Sequence, residues 1–283
     1  MLKISEIKSN AKERLKIYWG ESTAIFAYFA SAAAISILLG FLTAELLQIC
    51  GLAKHSYPAI LFEKNISFLM LTAVIIMLLY VFTVPAIFGR CWCYMQTAKG
   101  NIAPANCLFS CFSTKGVFLR CLKLKILVDL KKLIVLTPML VVFILECYFI
   151  RSILNSCKSR AVAFLFIMMG ILFALSLFLL YRIVTMRYLL VNYLFVSNPD
   201  GDIKYIIKKS TMLMKGYEKQ ITLLYLSFIG WVVLCVIIFP LLLVLPYYHM
   251  TMAEAVNQII SERSKKQNNV YTKKQRGKSL VGV

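Results

Sequence analysis

Two histidines, twelve acidic residues and nine cysteines are what this chain of 283 residues offers to chemistry. His55 and His249 are far apart and belong to no His-Glu-x-x-His or histidine cluster, so zinc hydrolysis has no ligand set. No phosphate-cradling Walker loop, Gly-rich dinucleotide turn or Gly-x-Ser-x-Gly elbow occurs. The cysteines (50, 91, 93, 107, 111, 121, 147, 157 and 235) are odd in number and scattered through apolar stretches. They read as small buried hydrophobes rather than a disulfide framework. Cys107 and Cys111 could share one side of a helix, and Cys147 and Cys157 flank a short loop that would let them pair on an oxidising side. Glu45 and Glu146 fall near the outer ends of predicted spans. They read as interfacial residues, with pairing to Lys54 and Arg151, or cation binding, as the other option. No catalytic, cofactor or metal site is expected.

What must hold these residues is a membrane fold. The chain is 60% hydrophobic and 16% charged, with a mean hydropathy of +0.78, outside the soluble range. Residues 223–256 carry an apolar run longer than a soluble core element needs. The pattern predicts an all-α, polytopic transmembrane helical bundle. Its spans lie at about 22–44, 66–89, 133–150, 161–181, 221–238 and 240–260, the last two forming a hairpin broken at Pro240. A five-span arrangement, with 247–260 lying flat on the membrane, is the alternative. Residues 1–260 would form a single membrane-embedded domain and 261–283 a basic, disordered cytoplasmic tail.

Three basic amphipathic stretches precede apolar pairs, at 2–19, 108–125 and 203–217. Each is read as an interfacial helix lying on an anionic surface. Leu15-Lys16-Ile17-Tyr18 resembles Met214-Lys215-Gly216-Tyr217, and Pro85 and Pro246 both sit late in the second member of a pair, which hints at an internal repeat. Ser197-Asn198-Pro199-Asp200-Gly201 is a strong turn signal.

The net charge is +20, carried in short segments beside the apolar runs. That is the pattern of topology signals and anionic-lipid contacts, not of a nucleic-acid binder. The Lys and Arg count runs five, two, eight, three, seven and seven from the N-terminus through successive links to the tail. Basic segments stay inside, so the N-terminus and, with six spans, the C-terminus are expected in the cytoplasm.

Arg182 and Arg187 follow the fourth span and read as inner-leaflet anchors, with a grip on a phospholipid phosphate as the alternative. Lys204, Lys208, Lys209 and Lys215 are expected to meet lipid headgroups. Gly230 and Trp231 form a small-meets-bulky packing motif, and Pro246 and Tyr247 continue it. Tyr247 and Tyr248 would join a headgroup belt with five spans, or face the bundle interior with His249 with six.

Ser197-Asn198-Pro199-Asp200, Lys209-Ser210, Met214-Lys215-Gly216, Leu226-Ser227-Phe228-Ile229-Gly230-Trp231, Pro246-Tyr247, Thr251 and Ala253 come in one order. In this the chain resembles the bacterial integral-membrane family catalogued as domain of unknown function nine-seven-five, most closely over 180–260. The resemblance implies a multi-pass helical protein of the bacterial cytoplasmic membrane and supplies no activity or catalytic residues. The chain departs from the family pattern at Ile237-Ile238-Phe239-Pro240, where a Gly-Ile-Gly is usual, and at Val256-Asn257, where a Phe-Tyr pair is usual.

The expected function is that of a non-enzymatic membrane protein that binds membrane lipids through anionic headgroups, associates with itself or another membrane protein, and binds no nucleic acid. A transporter or export component, with Pro-broken spans (Pro85, Pro138, Pro240, Pro246) lining a cavity, is the first alternative. A lipid-modifying membrane enzyme is the second.

Overall fold

A computed structural model describes residues 3–50, 66–101, 103–113, 115–156, 160–228, 230–231 and 238–279, and these are all-α. The helices are α1 (Ile4–Ile17), α2 (Trp19–Ile49), α3 (Ile66–Ala98), α4 (Ser110–Ser113), α5 (Lys115–Ser156), α6 (Arg160–Thr185), α7 (Val191–Ser197), α8 (Ile203–Met214), α9 (Glu218–Leu226) and α10 (Ile238–Ser279). Short 3-10 turns at Ala105–Phe109 and Met186–Tyr188 lead into α4 and α7. The chain folds as two compact units. The first holds Met1–Leu122 with Phe228–Gln258, and the second holds Lys123–Ser227 with Ile259–Val283.

Among the described residues four stretches are long and apolar enough to cross a bilayer: Trp19–Leu46, Met70–Ala98, Gly116–Ile153 and Ala161–Ser197. Most of their large apolar side chains are exposed, including Leu140, Val141, Phe143, Ile144 and Leu145 on α5 and Phe164, Leu165, Met169 and Leu172 on α6. An apolar surface this extensive is untenable in water and ordinary in lipid.

Among the described residues the count is therefore four, not six, and the reason lies in 221–260. Residues 232–237, which would close the fifth span, lie outside the described residues. The proposed sixth span is packed inside the protein instead. Met250, Thr251, Met252, Ala253, Glu254, Ala255 and Val256 are all buried in the first unit. A bilayer-facing helix would turn such a face to lipid.

Two boundaries also differ. α5 runs unbroken from Lys115 through its charged first turns and Pro138 to Ser156, so the interfacial helix expected at 108–125 is divided among a 3-10 turn, α4 and the start of α5. After Thr185 the fourth apolar stretch breaks into a 3-10 turn, and Arg187 sits in that turn. Thr185 Oγ1 donates back to the carbonyl oxygens of Tyr181 and Arg182 (2.8 and 3.2 Å), a local bond that competes with continued helix. α10 continues to Ser279, through the stretch whose polar composition predicts a disordered tail. The predicted turn after Ser197 is present: Gly201 N donates to Asn198 O (3.2 Å), and Asp202 then caps α8 by accepting from Tyr205 N (3.3 Å).

The amphipathic helices depart most from expectation. α1 buries Ile7, Ala11 and Leu15, and α8 buries Ile203, Ile206, Ile207, Ser210 and Met214, all against protein. Burying a side chain of this size contributes about 2 kcal/mol, and a face so used cannot also dip into lipid. The lysines stay outside: Lys3, Lys12 and Lys16 on α1, and Lys204, Lys208 and Lys209 on α8, are exposed.

Burial also makes the internal repeat visible. Ile7, Ala11, Leu15, Tyr18, Ser22 and Ile25 are buried at the same spacing as Ile206, Ser210, Met214, Tyr217, Ile221 and Leu224. Cys91, Cys93, Tyr94 and Met95 near the end of α3 match Val191, Tyr193, Leu194 and Phe195 of α7 in the same way. Gly216, between α8 and α9, has φ +92°, a left-handed conformation that only glycine adopts without strain.

Within the first unit, α3 packs against the turn at 105–109 and α4. The approach is closest at Gly89, where an added Cβ would overlap the backbone of Leu108. Gly89→Ala should lower the melting temperature of the detergent-solubilised protein by several degrees. Gly20→Ala on α2, where a Cβ meets nothing within 4 Å, should leave it unchanged or slightly raised. Equal melting of both variants would contradict this packing.

Candidate functional site

Arg14 is the central side chain of the first unit. It rises from the last turn of α1, pairs through Nε with Glu254 Oε1 of α10 at 2.8 Å, and donates through Nη1 to Thr97 O at 2.8 Å. Thr97 belongs to the last turn of α3, whose carbonyls have no partner within the helix. Asn257 Nδ2 donates to the next one, Ala98 O (3.3 Å), and Tyr247 O–H donates to Lys8 O (3.4 Å). The Glu254 side chain is only 5% exposed, and burial raises its carboxyl pKa against the opposing pull of Arg14.

Around this pair lies a chain of rings. Tyr18 meets Tyr94 edge-on (5.9 Å between centroids), Tyr94 meets His249 (5.8 Å), His249 meets Tyr248 (5.2 Å), and Phe228 meets both Tyr248 (5.5 Å) and Tyr247 (5.4 Å). Lys8 Nζ stands 4.9 Å over the Phe228 ring. Burial raises the Tyr18 hydroxyl, which sits beside the Cys93 thiol. Tyr247 and Tyr248 thus face the interior with His249, although the sixth span that motivated that placement is not found. Pro246 is buried and lines an apolar cavity of about 240 Å³ with Phe26, Phe29, Arg90 and Tyr94. Arg90 lies over the Phe29 ring at 4.5 Å.

The second unit separates the two arginines predicted to act alike. Arg187 pairs loosely with Glu218 (3.7 Å), and its carbonyl accepts from Ser210 Oγ of α8 (2.8 Å). Arg182 instead lies 4.7 Å over the Tyr225 ring and lines a polar cavity of about 180 Å³. Lys208 and Lys209 border a third cavity, about 360 Å³, together with Arg263, and Lys209 stands 5.8 Å from the Tyr205 ring. Lys204 is exposed and lines neither of these two cavities. The Lys215 carbonyl accepts from Arg263, whose guanidinium stacks on Tyr217 (5.3 Å). Tyr217 O–H donates to Glu262 (2.7 Å), and burial and then that acceptor raise its pKa.

Gly230 and Trp231 are not brought into a packed contact among the described residues. A Cβ on Gly230 would meet nothing within 4 Å, and Trp231 is 48% exposed. Among the described residues Glu45 and Glu146 form no ion pair; Glu146 Oε1 lies against Gly170 of α6 instead. Lys54 and His55 in the first link, and Cys157 of the suggested pair with Cys147, lie outside the described residues. Cys111 lies buried beside Cys121, a partner that linear spacing did not suggest. Among the described residues no three His, Cys, Asp or Glu side chains converge to hold a metal.

Among the described residues, four helices long and apolar enough to cross a bilayer, with most of their apolar side chains exposed, point to a helical membrane protein. The chain belongs to the family described as "Protein of unknown function (DUF975)", whose profile matches residues 1–261. No curated protein and no solved structure matches it.

Arg14→Ala would leave Glu254 buried without its cation, at a cost on the order of 3 kcal/mol. Glu254 would then prefer its neutral form still more strongly. A raised folded-state pKa contributes stability below the unfolded value that is lost as pH rises. The variant should therefore melt well below wild type at pH 8 and recover part of the difference at pH 5. A deficit independent of pH would mean that the carboxylate is not what Arg14 serves.

Proposed function

We propose that the protein is a non-enzymatic, multi-pass membrane protein whose folded basic surface binds anionic lipid headgroups and through them, or directly, another membrane protein. The observation that carries this reading is the orientation of α1 and α8. Each commits its apolar face to protein and presents its lysines outward. The attraction to a membrane surface is then electrostatic and salt-sensitive, not a matter of helix insertion. On this reading the lysine-rich ends lie on the cytoplasmic side of a bacterial membrane, where anionic lipid and the positive-inside bias agree.

The test uses the full chain in nanodiscs of zwitterionic lipid, mixed with phosphatidylglycerol vesicles and recovered by flotation. Wild type should float with the vesicles at low salt and release them as salt rises. Replacing Lys204, Lys208, Lys209 and Lys215 together by Gln should cut recovery several-fold. Recovery that ignores both salt and these lysines would refute the reading.

A further inference from the structure

We propose that the polar cavity in the second unit, between residues 125–132 of α5 and the end of α6, is a binding site for the phosphate group of an anionic phospholipid. This rests on the lipid-binding reading above and narrows it to one pocket. α5 and α6 are successive apolar helices joined by a short link, so the chain crosses and returns. Residues early in α5 and late in α6 therefore share one end, and the cavity joins them: Lys125 and Lys132 from α5, Arg182 from α6.

Charge selects the ligand. Lys125, Asp129 and Lys132 are spaced to lie along one face of α5. Asp129 Oδ1 is shared, 3.0 Å from Lys125 Nζ and 3.9 Å from Lys132 Nζ. Two lysines thus share one carboxylate, and Arg182 lines the same cavity as a third cation. The Lys125 and Lys132 side chains are 19% and 30% exposed, and Arg182 is also half-buried. Cations held together away from bulk water are stabilised by an anion that completes the set. The other lining groups add hydrogen-bonding capacity, with the amide of Asn192 and the ring hydroxyls of Tyr181 and Tyr188. The Tyr225 ring lies under Arg182 and fixes the guanidinium plane, which suits the fork to a tetrahedral oxyanion.

Depth selects the source. The cavity lies within two candidate spans, where their cationic residues stand beside apolar stretches, and on this proposal that level is the level of headgroups. Leu130, Leu133 and Ile134 on α5 and Phe178, Leu180 and Ile183 on α6 are exposed within one or two turns of the cationic residues. Acyl chains of a lipid whose phosphate sat in the cavity would run along these faces. A free phosphate ion would gain nothing from them.

The full chain in an uncharged maltoside detergent, followed by native mass spectrometry, provides the test. It would be titrated separately with phosphatidylglycerol, phosphatidic acid, phosphatidylcholine and inorganic phosphate. One anionic lipid should bind about tenfold more tightly than phosphatidylcholine. Arg182→Gln and Lys132→Gln should each erase about that factor, as loss of one charge-assisted bond predicts. Arg182→Lys should fall between, because it keeps charge without the flat fork. The fourfold Gln variant of α8 and Lys215 should keep the tight lipid even where it loses vesicle capture, so the two readings fail separately. Equal binding of phosphatidylcholine, or unchanged affinity in both Arg182→Gln and Lys132→Gln, would overturn the site. Inorganic phosphate competing at concentrations similar to the lipid would overturn the lipid assignment. If Arg182→Gln lowers the melting temperature, Lys132→Gln and Arg182→Lys decide the matter.

Discussion

A helix that ends beside a membrane leaves its last carbonyls without partners, and how they are satisfied governs this fold. At the end of α3 the turn that follows supplies backbone donors to Met95, Gln96 and Thr97 O, and an arginine and an asparagine from other helices add to them. Arg14 takes Thr97 O and Asn257 takes Ala98 O. The same arginine neutralises Glu254, so one guanidinium joins three helices. In the second unit the solution has the same form with different residues. Ser210 of α8 donates to Arg187 O, and Arg263 of α10 to Lys215 O. Helix ends near a bilayer cannot rely on water, and here the amphipathic helices and α10 supply donors beside those of the chain's own turns.

This explains why the amphipathic helices are structural first. A helix such as α1 or α8, taken alone, has the pattern of one that floats in the headgroup region, apolar side down. Amphipathicity records only that one face avoids water, and says nothing about what covers it. In this fold the cover is protein, because Ala11 and Ser210 are small enough to let a neighbour approach and Arg14 and Ser210 have fixed partners there. The lysines keep their exposure under either arrangement. The basic surface is thus a consequence of the packed face, held rigidly in place by it.

The membrane class, the all-α fold, the turn after Ser197 and the repeat linking Leu15-Lys16-Ile17-Tyr18 to Met214-Lys215-Gly216-Tyr217 were legible because each depends on local pattern. What was not legible depends on partners distant in sequence. The run after Leu223 has the hydropathy of a lipid-facing pass, and only the folded neighbours that bury residues 250–256 and pair Glu254 with Arg14 show its later part to be interior. Gly89 gives no sign of its closeness to Leu108, since a glycine late in an apolar helix is unremarkable by itself. Arg182 and Arg187 look equivalent five residues apart. The 3-10 turn that holds Arg187 sends it to Glu218, while Arg182, still on α6, meets Tyr225. Lys125 and Lys132 carried no signal as ligands because the arginine that completes their set returns on the next helix.

The repeat shows where the units have diverged. Counting back from the matched buried stretch of α3 and α7, the place of Arg182 is taken in α3 by Phe82, an exposed hydrophobe of the kind lipid tails cover. The place of Arg14, counted from the buried tyrosines, is taken in α8 by Leu213. There the acid from α10, Glu262, is met by the Tyr217 hydroxyl instead. One unit thus spends its arginine on holding helix ends together, while the other closes its ends with hydroxyls and a different arginine. Arg182 is then outside the fastening that the two units have in common. A cation that the shared architecture does not require, set in one cavity with two lysines, is the one whose charge is available to something besides the fold.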